Sequence, residues 1–327
     1  MTLMKRRGLI VFPHELGDYW IRAARRARIN VLGLHPADGA EAFGAIERLL
    51  HETVVSPSFR IAAGKLQKMG VALEYELHAM SWLLPRTEFT AHPEWFRMDR
   101  SGSRTADCNF CPSNEEALAY VERRAEELAR ALPFTTSHRY YFWQDDNCKK
   151  CHCPVCRDLN PSDQALLIYN RILRGVCRAD PEGMVSFLAY QNTLELPGTI
   201  RPEPGVFFEY APIDRDSDEP IGSPDSAKNR WQTSTLPAFL ELFGRETAQV
   251  LEYWLDSPRR TNYIPPYPKL IYKDEVVRED VAYYASLGIP SMTTFACSLG
   301  EAYELEFGTA PFEAYGRTLL EEGGGEA

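Results

Sequence analysis

Short apolar runs alternate with amphipathic segments from one end of the chain to the other. Runs rich in β-branched and aromatic residues, which are typical of buried strands, occupy residues 8–15, 29–36, 71–80, 140–146, 184–190, 206–212, 249–256 and 290–298. Segments between them, such as DYWIRAARRARI and SDQALLIYNRILRGVCRAD, repeat apolar residues every three to four positions and so predict helices with one buried face. This alternation of strand and helix predicts parallel βαβ units.

The connections differ in length according to their direction. Those that lead from a helix into a strand are brief, whereas those that leave a strand are long at 81–112, 145–162, 212–229 and 257–273. In a closed (β/α)8 barrel all strand-to-helix loops gather at the C-terminal face, where the active site is built. An open doubly wound sheet is the alternative fold, but no glycine-rich phosphate loop follows the first strand.

These patterns predict an α/β protein with one domain. We expect a single (β/α)8 TIM barrel over residues 1–320, with long βα loops at its C-terminal face. The chain has 327 residues, of which 44% are hydrophobic, and this is enough to bury a large core. The last residues, 321–327, read EEGGGEA and predict a disordered tail.

Charge and hydropathy narrow the range of partners. A formal net charge of -10 without an extended basic segment argues against nucleic acid as a partner. No apolar stretch reaches the ~20 residues that a membrane span needs, and the N-terminal sequence lacks a signal-peptide core. We therefore predict a cytoplasmic protein without membrane contact, in which thiols stay reduced. A homo-oligomer is compatible with the sequence.

Polar residues interrupt strands that should be apolar in a covered parallel sheet. Strand three alternates apolar residues with acids and a histidine, and other strands end on acids, histidines or tyrosines. Carboxyl groups gathered at one barrel mouth suit acid/base chemistry on a neutral polyol, so the predicted catalytic residues are Asp145, Asp146, Glu209 and Glu252. The predicted substrate-binding residues are His35, Glu76, His78, Trp143, Tyr190 and Tyr253.

Aromatic residues also collect on or just after the strand ends, where flat rings could hold the faces of a sugar. They are Trp82, Trp95, Phe96, Trp143, Tyr190, Tyr210, Tyr253, Trp254, Tyr263 and Tyr267. The alternative interpretation is that the acids form ion pairs inside the barrel and that these rings fill the core. The sequence alone leaves both interpretations open.

Eight cysteines cluster mainly at 108–111 and 148–156, which favours a metal site over disulfides in a reducing compartment. Cys148, Cys151, Cys153 and Cys156 have the spacing of a structural zinc knuckle, in which four thiolates leave no open position for a substrate. Cys111 could replace Cys148 as the fourth ligand and so join two loops, and His152 is a weaker candidate. Four reduced thiols without a metal are the alternative. We predict structural zinc.

Several segments resemble a bacterial family catalogued as a domain of unknown function. They include "NVLGLHP", "YELHAMSWLLPR", "SFLAYQNTLELP" and "FFEYAPIDRD", and the most specific is "YYFWQDDN…CHCPVCRDLNPSDQAL". The resemblance covers roughly residues 8–315. Such a family is regarded as a glycoside-hydrolase-like barrel distantly similar to α-glucuronidases and β-hexosaminidases. The resemblance therefore implies a (β/α)8 fold and a carbohydrate-active protein.

The resemblance also suggests roles for the acids. In β-hexosaminidase barrels an Asp-Glu pair ends strand four, and the Glu protonates the leaving group. Asp145 and Asp146 occupy the matching positions, so Asp146 becomes the expected general acid and Asp145 its partner, although Asp146 is one methylene shorter. Glu209 and Glu252 become candidates for base or nucleophile. The predicted function is a glycosidase that acts on a small carbohydrate substrate, an oligosaccharide or a glycoside.

Two other functions stay open at this stage. A sugar-binding barrel without catalysis is suggested by Asp146 in place of a glutamate. A metallohydrolase would instead use the cysteine-bound metal for chemistry.

Overall fold

The structure, a computed structural model, describes residues 4–36 and 41–324. Its strands form a closed parallel barrel in chain order. They are β1 Arg6–Val11, β2 Val31–Leu34, β3 Ala72–His78, β4 Arg139–Trp143, β5 Met184–Ala189, β6 Val206–Tyr210, β7 Gln249–Glu252 and β8 Ser291–Phe295. The eight predicted strands and the (β/α)8 TIM barrel are thereby confirmed, and the doubly wound alternative is excluded.

α-Helices lie between these strands, as the apolar spacing predicts, except between β5 and β6, where Gln191–Leu194 form a short 3-10 helix. The α-helices are α1 Asp18–Arg26, α2 Ala42–Arg48, α3 Pro57–Lys68, α4 Met80–Leu83, α5 Glu115–Ala131, α6 Pro161–Ala179, α7 Ala227–Thr233, α8 Leu236–Phe243, α9 Asp274–Ser286, α10 Glu301–Phe307 and α11 Phe312–Glu321. Local sequence fixes the starts of the two longest. The side chain of Asn114 accepts a hydrogen bond from the amide of Ala117 in α5, and that of Asn160 accepts one from Asp163 in α6.

Contacts between residues group the chain into two compact units. The first unit comprises Met1–His35, Val55–Glu74 and Glu209–Ala327, and the second comprises Pro36–Val54 and Tyr75–Phe208. Among the described residues, no helix combines the length and the apolar character that crossing a membrane requires.

In the first unit, β1 lies between β2 and β8. Gly8 pairs with Val31 on one side and with Thr293 on the other. A Cβ atom at Gly8 would lie 2.7 Å from the Thr293 methyl group, so a larger residue would force these strands apart. Of the predicted tail, Glu321 is the last residue of α11 and residues 322–324 follow it, and the Met4 amide donates to the carbonyl of Gly323 at 2.8 Å. Residues 325–327 lie outside the described residues.

In the second unit, α5 and α6 pack closely side by side. A Cβ atom at Gly175 of α6 would lie 2.1 Å from the carbonyl oxygen of Glu122 in α5, so only glycine permits this approach. The Glu122 carboxylate in turn pairs with Arg171 and Arg178 of α6. The packed helices α5 and α6 therefore anchor the long loops that precede them, residues 79–114 and 144–160.

Candidate active site and metal centre

A cavity of about 250 Å³ in the first unit lies where β7 ends. The loop after β7 supplies Tyr253, Trp254 and Asp256 to its wall, and β7 itself supplies Glu252. The wall also includes cationic side chains, apolar groups from the start of α9, and residues from the loop after β6. Aromatic rings beside charged groups are the usual lining of a small-molecule site.

Glu252 is almost fully buried and is held by three donors. Its Oε1 accepts hydrogen bonds from Nη1 of Arg215 at 2.7 Å and from the Tyr284 hydroxyl at 2.7 Å, and its Oε2 accepts one from the Tyr253 amide at 3.2 Å. Burial raises the pKa of Glu252, while the charge of Arg215 opposes that rise. The three donors, one of which is the Arg215 guanidinium, fix the orientation of the carboxylate and favour its ionised form against the effect of burial.

Arg215 connects Glu252 to a second buried acid, Asp280 in α9. Its Nη1 donates to Asp280 Oδ2 at 2.5 Å and its Nη2 donates to Oδ1 at 3.1 Å. Burial alone would lower the pKa of Arg215, but Glu252 and Asp280 raise it well above its usual value. Asp280 also accepts from the Ile221 amide and from the indole of Trp254. We call Glu252, Arg215 and Asp280 the Arg215 triad.

Sequence reasoning missed Asp280 and Tyr284, although a signal was present. In α9 the residues Val277, Asp280, Val281 and Tyr284 follow helical spacing and are all buried. An aspartate within an apolar stripe needs a partner, because an unpaired buried charge is costly. The stripe could therefore have pointed to Asp280, but not to the residue that pairs with it.

Asp256, four residues after Glu252, is the carboxyl group that the loop after β7 contributes to the cavity wall. Its Oδ2 accepts a hydrogen bond from the Tyr263 hydroxyl at 2.8 Å. Burial raises the pKa of Asp256 to about 6, and the Tyr263 hydroxyl and Arg259 oppose the rise. The carboxyl group can therefore hold a proton in weakly acidic solution.

The other sequence-predicted residues of the first unit differ in accessibility. His35 is buried, and its ring lies 5.2 Å from that of Phe295, which also lies 5.4 Å from the ring of Tyr253. Tyr253 is half-buried and lines the cavity. Glu209 is fully buried within β6, and its Oε1 accepts from Nε2 of Gln249 at 3.0 Å. This burial favours a structural role for Glu209.

In the second unit, Asp145 is engaged by its own chain. Its Oδ2 pairs with Arg86 and accepts a hydrogen bond from the Asn109 amide at 2.5 Å. The Asp145 amide donates in return to the side chain of Asn109 at 3.0 Å. Asp145 therefore connects the loop after β3 to the loop after β4.

Asp146 has a more open environment. It is exposed, and its Oδ1 accepts a hydrogen bond from the Tyr190 hydroxyl at 2.8 Å. Nε2 of Gln191 donates to the same hydroxyl at 3.1 Å. Gln191 has a φ of 51°, a strained left-handed conformation that places its side chain beside Tyr190.

The remaining predicted substrate-binding residues of the second unit are mostly internal. Glu76 is fully buried in β3. Nδ1 of His78 donates to the carbonyl of Gln144 at 2.5 Å, and the indole of Trp143 donates to Ser186 at 3.1 Å. Among the aromatic residues predicted to hold sugar faces, those that the structure buries are Trp82, Trp95, Phe96, Trp143 and Tyr210. The burial of these five rings favours the alternative interpretation, core packing.

A cluster of four buried cysteines joins the two long loops of the second unit. Cys111, Cys151, Cys153 and Cys156 place their sulfur atoms within 4.8 Å of one another and could hold a metal ion. Cys148 lies apart from this group, because it is exposed and its thiol donates to Oε1 of Gln191 at 3.0 Å. Of the two candidates for the fourth position, the structure thus brings Cys111 to the cluster. We call these four residues the cysteine cluster.

Neighbouring groups fix the backbone of the cysteine cluster. Gln164 of α6 accepts from the Cys151 amide at 2.9 Å and donates to the carbonyls of Cys151 and Cys156 at 2.9 and 2.8 Å. Hydrogen bonds from the thiols of Cys151 and Cys156 lower the pKa of Cys111, and the same contacts raise the pKa of Cys156. The cluster by itself therefore disfavours full ionisation, and a cation is needed to hold four thiolates.

The fold of this chain is similar to that of several carbohydrate-active enzymes. A tri-modular GH5 endo-β-1,4-glucanase of Bacillus licheniformis, solved with cellotetraose, is 9% identical, with a TM-score of 0.53 over 99% of this chain and 61% of that one. A β-galactosidase of Marinomonas ef1 is 12% identical, with a TM-score of 0.50 over 88% and 53%. CpGH89 of Clostridium perfringens, solved with its substrate GlcNAc-α-1,4-galactose, is 12% identical, with a TM-score of 0.50 over 98% and 37%.

These likenesses establish the barrel fold and nothing finer, since the sequence identity is so low. The chain spans only 37% to 61% of the length of those three proteins. No curated protein matches the sequence. A family model described as "Domain of unknown function (DUF4838)" matches residues 42–292, which is most of the chain. The protein therefore belongs to the DUF4838 family, in agreement with the resemblance found in its sequence motifs.

Proposed function

We propose that this protein is a glycoside hydrolase that cleaves a glycosidic bond in a small oligosaccharide or glycoside by carboxylate chemistry. One observation carries the proposal. The cavity at the end of β7 holds an oriented, ion-paired carboxylate, Glu252, beside the aromatic side chains of Tyr253 and Trp254. An ionised carboxylate can act as nucleophile or base at an anomeric carbon, and aromatic rings can pack against a sugar.

Among the acids predicted from the sequence, the contacts support different roles. Glu252 is the proposed nucleophile or base. Asp146 stays the proposed proton donor of the strand-four pair, because it is exposed and accepts a hydrogen bond from a neutral group, the Tyr190 hydroxyl. The ion pair between Asp145 and Arg86 suits a positioning role for Asp145. Glu209 is the least favoured of the four, because the described lining of the cavity includes Glu252 but not Glu209.

The cysteine cluster fits a structural zinc ion. Zinc bound by four sulfur atoms at about 2.3 Å in a tetrahedron places neighbouring sulfurs about 3.8 Å apart. Cys111 lies 3.7 Å from Cys151 and 3.8 Å from Cys153, measured between Sγ atoms. Four thiolates would complete the coordination shell and leave no position for a substrate, so we assign the ion to loop structure and not to chemistry. A cytoplasmic location, where thiols stay reduced, is part of the same proposal.

One observation favours a second function, sugar binding without catalysis. Asp145 occupies the first acidic position of the strand-four pair, but Arg86 and the Asn109 amide already satisfy Oδ2 of its carboxylate. If Asp145 serves to join two loops, catalysis depends on other residues or is absent. Sugar binding without turnover is the expected result in that case.

Hydrolysis of a broad panel of aryl glycosides tests the proposal. We expect the wild-type protein to cleave at least one glycoside, and we expect Glu252→Gln to lower kcat at least 100-fold while the variant stays folded. Asp146→Asn tests the strand-four acid in the same assay. Asp158→Asn, which changes an exposed carboxylate, is the matched control. A wild-type protein that binds sugars in calorimetry but cleaves none of the panel would contradict the hydrolase proposal and support the second function.

A further inference from the structure

The cavity of the first unit contains a carboxyl group that the proposed function does not yet use. Asp256 faces the same space as Glu252, but the two carboxyl groups have unlike partners. Glu252 receives a guanidinium, a phenol hydroxyl and a backbone amide. Asp256 receives the Tyr263 hydroxyl, which is a neutral donor. This contrast is the arrangement that lets one carboxyl group stay ionised while its neighbour keeps a proton.

The charged groups around Asp256 do not remove the difference in protonation between Asp256 and Glu252. Arg259, the nearest cation by sequence, lies over the ring of Tyr253 at 5.3 Å, and its guanidinium donates to the carbonyl of Ile213 and to Ser217. Lys273 pairs with Asp218 at 2.6 Å. Burial therefore dominates and raises the pKa of Asp256 to about 6. The charged or titratable groups that line the cavity with it are Arg215, Asp218, Glu252, Arg259, Arg260 and Lys273.

The backbone that presents the Tyr263 hydroxyl is itself unusual. Asn262 and Tyr263 have φ values of 50° and 60°, both in the left-handed region. Asparagine adopts that region readily, but a tyrosine there is strained. The amide of Tyr263 donates to the carbonyl of Pro258 at 2.9 Å, which closes the turn. Strain of this kind persists where the surrounding structure enforces it, and it is concentrated at functional sites.

The geometry points to Asp256 as a catalytic proton donor of this cavity, with Glu252 as its ionised partner. The inference rests on the proposed glycoside hydrolase function, assigns the proton donor to Asp256 in place of Asp146, and names a residue outside the catalytic set predicted from the sequence. The substrate class is a glycoside whose ring packs against Tyr253 and Trp254. Its glycosidic oxygen would then face Asp256.

The chemical step balances without any further reactant except water. Asp256 gives its proton to the glycosidic oxygen while the bond from that oxygen to the anomeric carbon breaks, and the electron pair of the bond leaves with the oxygen. Water supplies the hydroxyl group that the anomeric carbon gains. The second proton of that water returns Asp256 to its acid form through solvent or through Glu252.

A structural role is the competing explanation, in which Asp256 only anchors Tyr263. The two roles differ in their dependence on the leaving group. A proton donor matters for a poor leaving group such as an alkoxide, and matters little for dinitrophenolate, which departs without protonation. A loop anchor affects both substrates equally.

The experiment compares Asp256→Asn with wild type on the methyl glycoside and the 2,4-dinitrophenyl glycoside of one sugar. We expect kcat/KM to fall at least 100-fold on the methyl glycoside and less than 10-fold on the dinitrophenyl glycoside. We also expect the alkaline limb of the wild-type pH profile, near the pKa of about 6, to disappear in the variant. Tyr263→Phe is the matched control, since it keeps the carboxyl group and should shift the limb to higher pH while retaining it.

Each outcome decides the inference. Equal losses on both substrates, or an unchanged alkaline limb in folded Asp256→Asn, would overturn the role of Asp256 while the hydrolase function stands. If Asp146→Asn instead shows the dependence on leaving group, the strand-four acid is the donor. Circular dichroism establishes that each variant is folded, and Asp256→Glu, which restores the acid, should recover part of the activity if Asn at this position fails to fold. A wild-type protein inactive on both glycosides and on the wider panel would overturn the function and the inference together.

Discussion

The Arg215 triad and the cysteine cluster both bury ionisable side chains beside long loops, but they differ in the counter-charge that the described residues supply. In the triad one guanidinium contacts two carboxylates, and Asp280 receives two further donors from Ile221 and Trp254. In the cysteine cluster the neighbouring cation is Arg104, whose guanidinium also donates to the carbonyl of Phe96 at 2.6 Å. One arginine cannot balance four thiolates.

The comparison shows two ways in which a protein can stabilise buried charged side chains. The triad is complete when the chain folds, because its cation is covalently part of the protein. We propose that the cysteine cluster takes up a cation from solution, and in that case its stability depends on metal concentration and on the protonation of the thiols. The first arrangement suits a site that must keep a fixed carboxylate. The second suits a junction between loops.

The largest expected effect comes from removing the external cation. We expect Cys156→Ser to abolish metal binding and to lower the free energy of unfolding by about 5 kcal/mol or more, because the loops lose a bound ion that contributes strongly to folding. Cys148→Ser, which changes an exposed thiol outside the cluster, should bind one metal ion and unfold like wild type. Elemental analysis and thermal denaturation measure both properties. Equal metal content and stability in the two variants would refute the cluster as a metal site.

The next effect comes from removing the internal cation. We expect Arg215→Met to lower the free energy of unfolding by about 3 to 5 kcal/mol, because it leaves Glu252 and Asp280 buried without their cation. Urea denaturation measures the change, and Arg260→Met, at an exposed position, is the control. The triple variant Arg215→Met, Glu252→Gln, Asp280→Asn should recover part of the loss, since it removes the uncompensated charges as well. A triple variant less stable than Arg215→Met would contradict this electrostatic account.

Asp256 extends the comparison to a half-buried acid that accepts a hydrogen bond from a neutral group, the Tyr263 hydroxyl. Its pKa of about 6 in the folded protein lies above the ordinary value of 3.8, so folding favours its protonated form. The stability that this proton contributes is fully present below the ordinary pKa and is lost as the pH rises through about 6. Relative to Asp256→Asn, wild type should therefore lose on the order of 2 to 3 kcal/mol between pH 4 and pH 7.

Urea denaturation of wild type and of Asp256→Asn at each pH gives this difference directly. Burial also raises the pKa of Glu15, to about 7, but the subtraction removes its contribution because both proteins contain it. A difference that does not change with pH would contradict the raised pKa of Asp256.

The fold and the metal site could be predicted from the sequence where the residues that indicate them lie close together along the chain. Apolar spacing predicted the strands and the longer helices, because backbone periodicity repeats within a few residues. The spacing of Cys151, Cys153 and Cys156 likewise indicated a metal site. The choice between Cys111 and Cys148 was not predictable, since it depends on how the loop after β3 folds back to the loop after β4. Contacts such as the Cys111 amide with the carbonyl of Trp95 fix that path.

The candidate active site was harder to predict for the same reason. Glu252 could be found because it ends a strand, and strand ends can be counted along the sequence. Its partner Arg215 could not, because it lies 37 residues away in an irregular loop. Arg86 and Arg97 are likewise paired with carboxylates of the protein, those of Asp145 and Asp107. Composition counts charges but does not show which of them are already paired.

The smallest expected effect tests whether burial or charge pairing is the main reason that the Arg215 triad stabilises the fold. Asp218 and Lys273 form an ion pair at 2.6 Å, a distance similar to those within the Arg215 triad, but both side chains are exposed. Water competes for exposed charges and salt screens them, so Asp218→Asn should lower the free energy of unfolding by less than about 1 kcal/mol, and high salt should reduce that difference further. Urea denaturation of wild type and of the variant at low and at high salt measures both changes. A loss as large as that of Arg215→Met would mean that pairing alone, and not the exclusion of water, makes the triad strong. Both sites pair a carboxylate with a cation. A small loss of unfolding free energy in Asp218→Asn, beside a large loss in Arg215→Met, would therefore show that most of the difference comes from burial.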